Sequence, residues 1–150
     1  MRLLYGVDGE IAEWVALSIP HVGEDGFGPC SAIGIATNDK LVGGMVYHDY
    51  QPKCGTIQLS MAAIHPCWAR PHIIKGLLEY PFEGLGVFKV WTATPLDGER
   101  AIQTNRRVGF TREATLAHHF GHKRHAVIMR MLKPDFYRRY GNGKERAQGA

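Results

Sequence analysis

The chain has 150 residues, 45% of them hydrophobic and 21% charged, and these values suit one domain with one hydrophobic core. No apolar stretch approaches the roughly 20 residues that a membrane-spanning helix needs, and acidic residues follow Met1 too soon for a signal peptide. We therefore expect a cytoplasmic protein with no membrane partner. Three widely spaced cysteines without a CxxC motif argue against a disulfide framework and against a zinc knuckle.

The net charge of +4 is unevenly distributed along the chain. The first 75 residues hold five basic and seven acidic residues, a net charge of −2, and the last 75 hold 13 and seven, a net charge of +6. A basic C-terminal half suits an anionic partner such as the phosphates of a cofactor, nucleic acid or a ribosomal surface. A solvated basic surface explains the same charges equally well.

The N-terminal third predicts a strand, a helix and two further strands. The run MRLLYGV reads as a short strand, and Asp8 is placed to cap a helix over 10–19 with apolar residues near a 3.6-residue period. A loop rich in Gly and Pro follows, and then strands over 31–37 and 41–50 flank an Asn-Asp turn. Gly43 and Gly44 indicate a bulge or a close backbone approach in the second of these strands.

The middle third predicts a strand, a turn, a helix and another strand. The run 55–64 becomes apolar on both faces, which is typical of a strand buried on both sides. Pro71 suits the first position of a helix over 71–80, and Pro81 should end or kink that helix. The strand over 87–94 should break at Pro95.

The last third predicts a helix over 98–108, capped by Asp97 and stopped by Gly109, and then a hairpin. The hairpin strands are 111–120 and 124–132, with Gly121 at the turn. Aromatic residues after Pro134 could dock on the domain. We expect one domain over 1–140 and a flexible tail over 141–150. The alternation of strands and helices, followed by a hairpin, predicts a mixed α/β sheet.

The order of segments from Gly55 to Phe110 resembles the core of the GCN5-related N-acetyltransferases, especially the branch that modifies ribosomal proteins. The turn between strand and helix carries Trp68 and Arg70, as in that branch, whereas Ala69 and Pro71 replace two glycines. In the later helix Ala101, Gly109 and Phe110 match the family pattern, while Gly98 and Asn105 stand where an Asn and a Tyr are common. The resemblance covers about residues 33–132.

The resemblance implies a strongly twisted, mainly antiparallel mixed sheet with flanking helices, in which two central parallel strands separate in a V. It also implies acetyl-CoA as co-substrate. The turn and helix N-terminus would receive the pyrophosphate, and a bulge in strand 55–64 would direct an N–H at the thioester. The implied cofactor-binding residues are Ala63, Ile64, Cys67, Trp68, Ala69, Arg70, Pro71, His72, Arg100, Ala101 and Asn105.

A general base is needed to accept the proton of an attacking amine. The candidates are His65, His48 and Ser60, with a packing or surface role as the alternative for each. The histidines at 118, 119, 122 and 125 have a spacing that could bind a metal. However, the predicted hairpin and the lack of a nearby acid or Cys argue against a metal site.

The first functional hypothesis is acetyl transfer from acetyl-CoA to an amine by direct attack. The acceptor could be a protein N-terminus, a lysine or a small amine. The alternatives are a catalytically degenerate binding module with the same fold and a nucleic-acid-associated relative. The oligomeric state is open, and a dimer is possible.

Overall fold

A computed structural model describes residues 1–141, so the predicted tail lies outside the described residues except for Gly141. Residues 1–141 form one seven-stranded sheet in the order β1-β2-β3-β4-β5-β7-β6 and four α-helices. The strands are β1 (Arg2–Leu4), β2 (Cys30–Thr37), β3 (Lys40–Gln51), β4 (Thr56–Ala63), β5 (Lys89–Pro95), β6 (Thr111–Leu116) and β7 (Ala126–Leu132). The helices are α1 (Asp8–Ser18), α2 (Pro71–Glu79), α3 (Glu99–Val108) and α4 (Lys133–Tyr140). Within this range no helix combines the length and apolar character that crossing a membrane requires.

The central strands β4 and β5 separate after a short parallel contact. All other neighbouring strands pair antiparallel, whereas β4 and β5 pair in parallel at three positions only, from Thr56–Lys89 to Gln58–Trp91. Beyond them β4 continues to Ala63 and β5 to Pro95, each paired only with its outer neighbour. The predicted mixed, mainly antiparallel sheet and its V-shaped separation are both confirmed.

Hydrophobic residues fill both faces of the sheet. The larger cluster joins buried residues of β2–β5 and β7 to α2, α3 and α4. The smaller cluster lies under α1, where Ile11 and Val15 pack with Ala32 and Val46. A β-carbon on Gly44 would lie 2.8 Å from Ile11 and 2.9 Å from Val15, so the predicted close approach is real. A bulge at Val42 adjoins it, between the pairs Ile35–Gly43 and Ala36–Leu41.

Both predicted helix caps are wrong. Asp8 is the first residue of α1, and its carboxylate accepts the backbone N–H of Ala32 (2.9 Å), so it fastens the helix to β2. Gly98 is the N-cap of α3, and no side chain caps that end. At Asp8 a tertiary contact takes the place of local capping, and at Gly98 the helix begins without a side-chain cap.

Three expectations for the strands also need correction. β4 has no bulge, because its ladder with β3 is regular from Gln58 to Ala63; the irregularity lies in β3 after His48. β4 is not buried on both faces, since residues 60–63 are half-buried and Ile64 is 64% exposed in the gap that the separation opens. Pro95 does not break β5 but pairs with Ala126 as its last residue.

The chain also forms two elements that the sequence patterns did not predict. A π-turn over Tyr80–Gly84 follows α2, so Pro81 widens the helix before ending it. Residues 133–140 form α4, whose Phe136 is fully buried and stacks on Phe82 with ring centres 5.0 Å apart. The aromatic residues after Pro134 therefore dock as expected, but on a helix.

Candidate active site

A cavity of about 700 Å³ occupies the gap between β4 and β5. Its walls are the diverging ends of the two strands, the turn after β4, and one side each of α2 and α3. The Ile64 N–H donates to the Val42 carbonyl (2.8 Å). Because peptide groups alternate along a strand, those of Ala63 and Met61 point away from β3 and toward the gap. Main-chain donors and acceptors therefore line an open cleft of a size suited to an elongated ligand.

The α3 wall of the cavity is basic. Arg100 and Arg107 both line it, and seven residues, or two helical turns, place them on one side of α3 about 10 Å apart along its axis. Asn105 lies between them in sequence and donates to Thr92 (3.4 Å), which links the helix to β5. No Asp or Glu is among the described residues that line this cavity. Two guanidinium groups without a competing carboxylate suit anionic groups such as phosphates.

A His–Ser pair lies on the α1 side of the cavity. Ser60 lines the cavity, and its hydroxyl lies 2.8 Å from Nε2 of His48 on the neighbouring strand β3. Burial lowers the pKa of His48, and the nearby Asp49 carboxylate opposes that effect in part. The Phe27 ring packs against the imidazole with ring centres 4.8 Å apart. His48 is therefore held neutral near pH 7, in a state that can accept a proton through Ser60.

The turn after β4 is tightly bonded within itself. The backbone N–H groups of Ala69, Arg70 and Ile73 donate to carbonyls within residues 66–70. Nε of Arg70 donates to the Cys67 carbonyl (3.3 Å), and the Cys67 thiol lies 2.7 Å from Nδ1 of His65. Pro71 has no N–H. In this conformation the turn offers few free donors, and the guanidinium groups of α3 are the stronger anion-binding feature of the cavity.

A second group of basic side chains lies where two loops touch at the cavity edge. His21, in the loop after α1, lines the cavity and stacks on Phe120 of the β6–β7 hairpin with ring centres 4.1 Å apart. The His119 ring also contacts Phe120, with ring centres 4.9 Å apart. Burial, then His119, then Arg124 lower the pKa of His21. We call His21, His119, Phe120 and Arg124 the clamp.

The predicted site residues divide into two groups. Those that line the cavity are Ser60, Ala63, Ile64, His65, Trp68, Arg100, Ala101 and Asn105. Those outside its lining are His48, Cys67, Ala69, Arg70, Pro71 and His72, and among these His48 reaches the cavity through Ser60. Trp68 is also buried in the main core, so it has a packing role as well. The roles assigned to both groups stay predictions.

The sequence analysis missed Thr92 and His21 as cavity residues. Thr92 lies on β5 just beyond the last parallel pair, so the expected separation of the two strands could have singled it out. His21 lies in a loop whose only signal was Gly and Pro content. Its position depends on the contact with the hairpin, which no local pattern predicts.

The three cysteines, Cys30, Cys54 and Cys67, are free and exposed. Cys30 lines a separate cavity of about 570 Å³ between α1 and the loop that precedes β2. Glu13 and Glu24 also line that cavity, so the acidic groups of this region are separated from the cleft between β4 and β5.

No protein-family model and no curated protein matches this sequence, but solved structures match its fold. A chimera of the spermidine N-acetyltransferase SpeG from Vibrio cholerae and hSSAT gives a TM-score of 0.73 at 13% identity. That match covers 93% of this chain and 100% of the other. V. cholerae spermidine N-acetyltransferase in complex with CoA and spermine gives 0.63 at 16% identity, over 73% of this chain and 69% of that one. A dodecameric structure of the same enzyme, in an intermediate state, gives 0.64 at 15% identity, over 73% and 68%.

These similarities agree with the geometry of the sheet. This chain has a seven-stranded mixed sheet, a parallel pair of strands that opens into a V, and helices beside the gap. The chain has the fold of the GCN5-related N-acetyltransferases.

Proposed function

We propose that the protein transfers an acetyl group from acetyl-CoA to an amine. The observation that carries this proposal is the gap between β4 and β5, which joins main-chain donors, a basic helix and a neutral histidine in one cavity. A structural neighbour was solved in complex with CoA and spermine, and this supports a CoA-type ligand for this protein.

In this proposal the pantetheine chain of acetyl-CoA lies between the strands and pairs with the exposed peptide groups near Met61 and Ala63. Arg100 and Arg107 bind the phosphates, and Arg70 contributes only after leaving the Cys67 carbonyl. An N–H of β4 stabilises the negative charge that develops on the thioester oxygen. Because β4 has no bulge, this N–H is one of those that point into the gap through the regular alternation of peptide groups along the strand.

The acceptor amine attacks the thioester carbonyl directly. The new C–N bond forms, the C–S bond breaks, and the CoA thiolate leaves. With the His48 proton on Nδ1, Nε2 accepts from the Ser60 hydroxyl, so a proton of the amine passes to Ser60 and from Ser60 to His48. The lowered pKa of His48 keeps this route open at neutral pH. His65 is exposed and bonded to Cys67, which makes it the weaker candidate.

A catalytically degenerate binding module is the second candidate. The internally bonded turn with Ala69 and Pro71 favours it, because this turn offers few donors to a pyrophosphate. Such a module would transfer no acetyl group, whether or not it binds CoA.

Calorimetric titration with acetyl-CoA tests the cofactor site. We expect a micromolar dissociation constant, and a loss of affinity of about tenfold or more when Arg100 and Arg107 are both changed to Ala, because two charge-assisted contacts disappear. Arg106→Ala is the single-charge control, since it removes one positive charge from the same helix at an exposed position outside the cavity lining. No binding at millimolar acetyl-CoA, or an equal loss with Arg106→Ala, would rule out this assignment.

A further inference from the structure

The strongly charged residues that line the cleft between β4 and β5 are all basic, and this bears on the acceptor. Its ionisable lining residues are Arg100, Arg107, His21 and His65, and the described lining includes no carboxylate. A polyamine carries several positive charges, so binding it in such a cavity would require overcoming like-charge repulsion without a compensating acid. Glu13 and Glu24 line the other cavity.

The basic residues in and beside the cleft form two groups that can serve two ligands. Arg100 and Arg107 lie on α3, on the side that the proposed function gives to the phosphates of CoA. The clamp lies on the other side of the gap, where the loop after α1 meets the hairpin. Ser60 lines the same cavity as His21, so a molecule held at the clamp can present an amine to Ser60.

The clamp combines basic side chains, which can bind an anion, with the flat apolar ring of Phe120. Arg124 and His119 are exposed and close enough to His21 to depress its pKa. Phe120 stacks on His21 and closes one side. The Nδ1 atoms of His118 and His125 accept the backbone N–H groups of Lys123 (2.8 Å) and His118 (2.9 Å), which brace the hairpin from within. The cationic side chains therefore lie on a turn whose shape is fixed before any ligand arrives.

We propose that the acceptor is an amine whose neighbouring group is a carboxylate, and that the clamp recognises this carboxylate. The inference rests on the proposed function and narrows its substrate class to acidic N-terminal peptides or small amino acids, which share this chemistry. It separates this protein from its structural neighbours, whose names specify spermidine and whose CoA complex contains spermine. An anion at the clamp removes the repulsion among His21, His119 and Arg124, so binding an acidic acceptor raises the pKa of His21.

Acetylation of a matched set of acceptors tests the proposal. The probes are the peptide amides Ser-Asp-Asp-Gly, Ser-Gly-Gly-Gly and Ser-Lys-Lys-Gly, together with free aspartate and spermidine, and the acetylated products are quantified by mass spectrometry. We expect kcat/KM for the acidic peptide to exceed that for the basic peptide by about tenfold, as two or three partly exposed charge contacts would give. Spermidine should be the poorest acceptor. The ratio of kcat/KM for free aspartate to kcat/KM for the acidic peptide shows whether small molecules or peptides are the better acceptors. Equal rates for all the peptides, or a preference for spermidine, would overturn the proposal.

A double variant tests whether the clamp causes the preference for acidic acceptors. His119→Ala with Arg124→Ala should reduce the ratio between acidic and basic peptides to about twofold or less, while calorimetric affinity for acetyl-CoA stays unchanged. Lys53→Ala, which removes a positive charge in the turn at the far end of β4, should leave the ratio intact. If the double variant is poorly folded, Arg124→Gln gives the same comparison with a smaller change.

The proposal can fail independently of the proposed function. If acetyl-CoA does not bind, the proposed function fails, and the charge preference is still decided by NMR titration of the histidine ring signals. The acidic peptide should shift the pKa of His21 upward, and the basic peptide should not. A protein that binds acetyl-CoA and shows no response of His21 to the acidic peptide would contradict the clamp assignment alone.

Discussion

At the scale of single residues, the cavity depends on a few side chains whose neighbours set their chemistry. His48 and Ser60 are on adjacent strands in positions that the regular β3–β4 ladder fixes, with His48 opposite Gln58 and Val46 opposite Ser60. Such a pair was visible in the sequence only as two separate polar residues in apolar strands. Their alignment depends on strand register, which the sequence patterns did not specify.

The His48–Ser60 pair predicts a pH dependence. With the best acceptor, the profile of kcat/KM against pH should show two limbs. One belongs to the acceptor amine, and the other has a midpoint below 6.5, because burial lowers the pKa of His48 and only neutral His48 accepts a proton. His48→Gln should remove this limb and lower the rate about 100-fold. The measurement is a pH–rate profile between pH 5 and 9, and the ionisation of the acceptor amine should remain visible in both proteins.

His122→Gln is the control for that profile, since His122 is exposed on the hairpin. An unchanged acid limb in His48→Gln would show that another group accepts the proton.

The lowered pKa of His48 also has a consequence for folding stability. Because the pKa of His48 is lower in the folded protein than in the unfolded chain, its contribution to stability is present above about pH 6.5 and is lost as the pH falls through the folded value.

At the scale of elements, the sequence predicted strands and helices better than it predicted their ends. Nearly all strands and three helices were expected close to their observed positions, since apolar periodicity is a property of each segment. The cap at Asp8 was wrong because its carboxylate bonds to β2, and the cap at Asp97 was wrong because Gly98 takes the N-cap position. Helix α4 was missed because its eight residues hold few apolar side chains, and only the burial of Phe136 against Phe82 gives it a place on the sheet.

The contact of α1 with β3 predicts a difference between two glycines. Gly44→Ala should lower the free energy of unfolding by about 1–3 kcal/mol, because its new methyl group would meet Ile11 and Val15 at less than 3 Å. Gly9→Ala, inside α1 with open space around it, should raise the free energy by up to about 1 kcal/mol through helix propensity. Urea unfolding of both variants measures this, and a Gly44→Ala protein as stable as the parent would contradict the packing described for α1.

At the scale of the whole molecule, the sheet consists of two halves that meet at three residue pairs. Strands β1–β4 form one half and β5–β7 the other, and beyond the parallel contact the main core under α2, α3 and α4 holds them together. The family resemblance predicted this division, whereas composition and periodicity indicated only a mixed sheet. The size and charge of the cavity follow from how far the strands diverge, which emerges only from the three-dimensional packing.

A ligand that bonds to both halves should stabilise the folded protein. Acetyl-CoA at 100 times its dissociation constant should add about 2.7 kcal/mol to the free energy of unfolding. It should also slow hydrogen exchange most strongly at the amides of β4 and β5 that face the gap. Hydrogen-exchange mass spectrometry with and without acetyl-CoA measures this. Protection confined to the hairpin or α1 would place the ligand elsewhere.

The three exposed cysteines affect how turnover can be measured. A dye that reports free CoA by reacting with thiols will also react with Cys30, Cys54 and Cys67, and so gives three equivalents of signal per chain before the first catalytic cycle. Background will therefore scale with protein concentration and mimic a burst phase. Pre-reacting the protein is no remedy, because Cys67 adjoins the cavity through His65. A slow acetyl transfer will be quantified correctly only when the acetylated amine itself is detected.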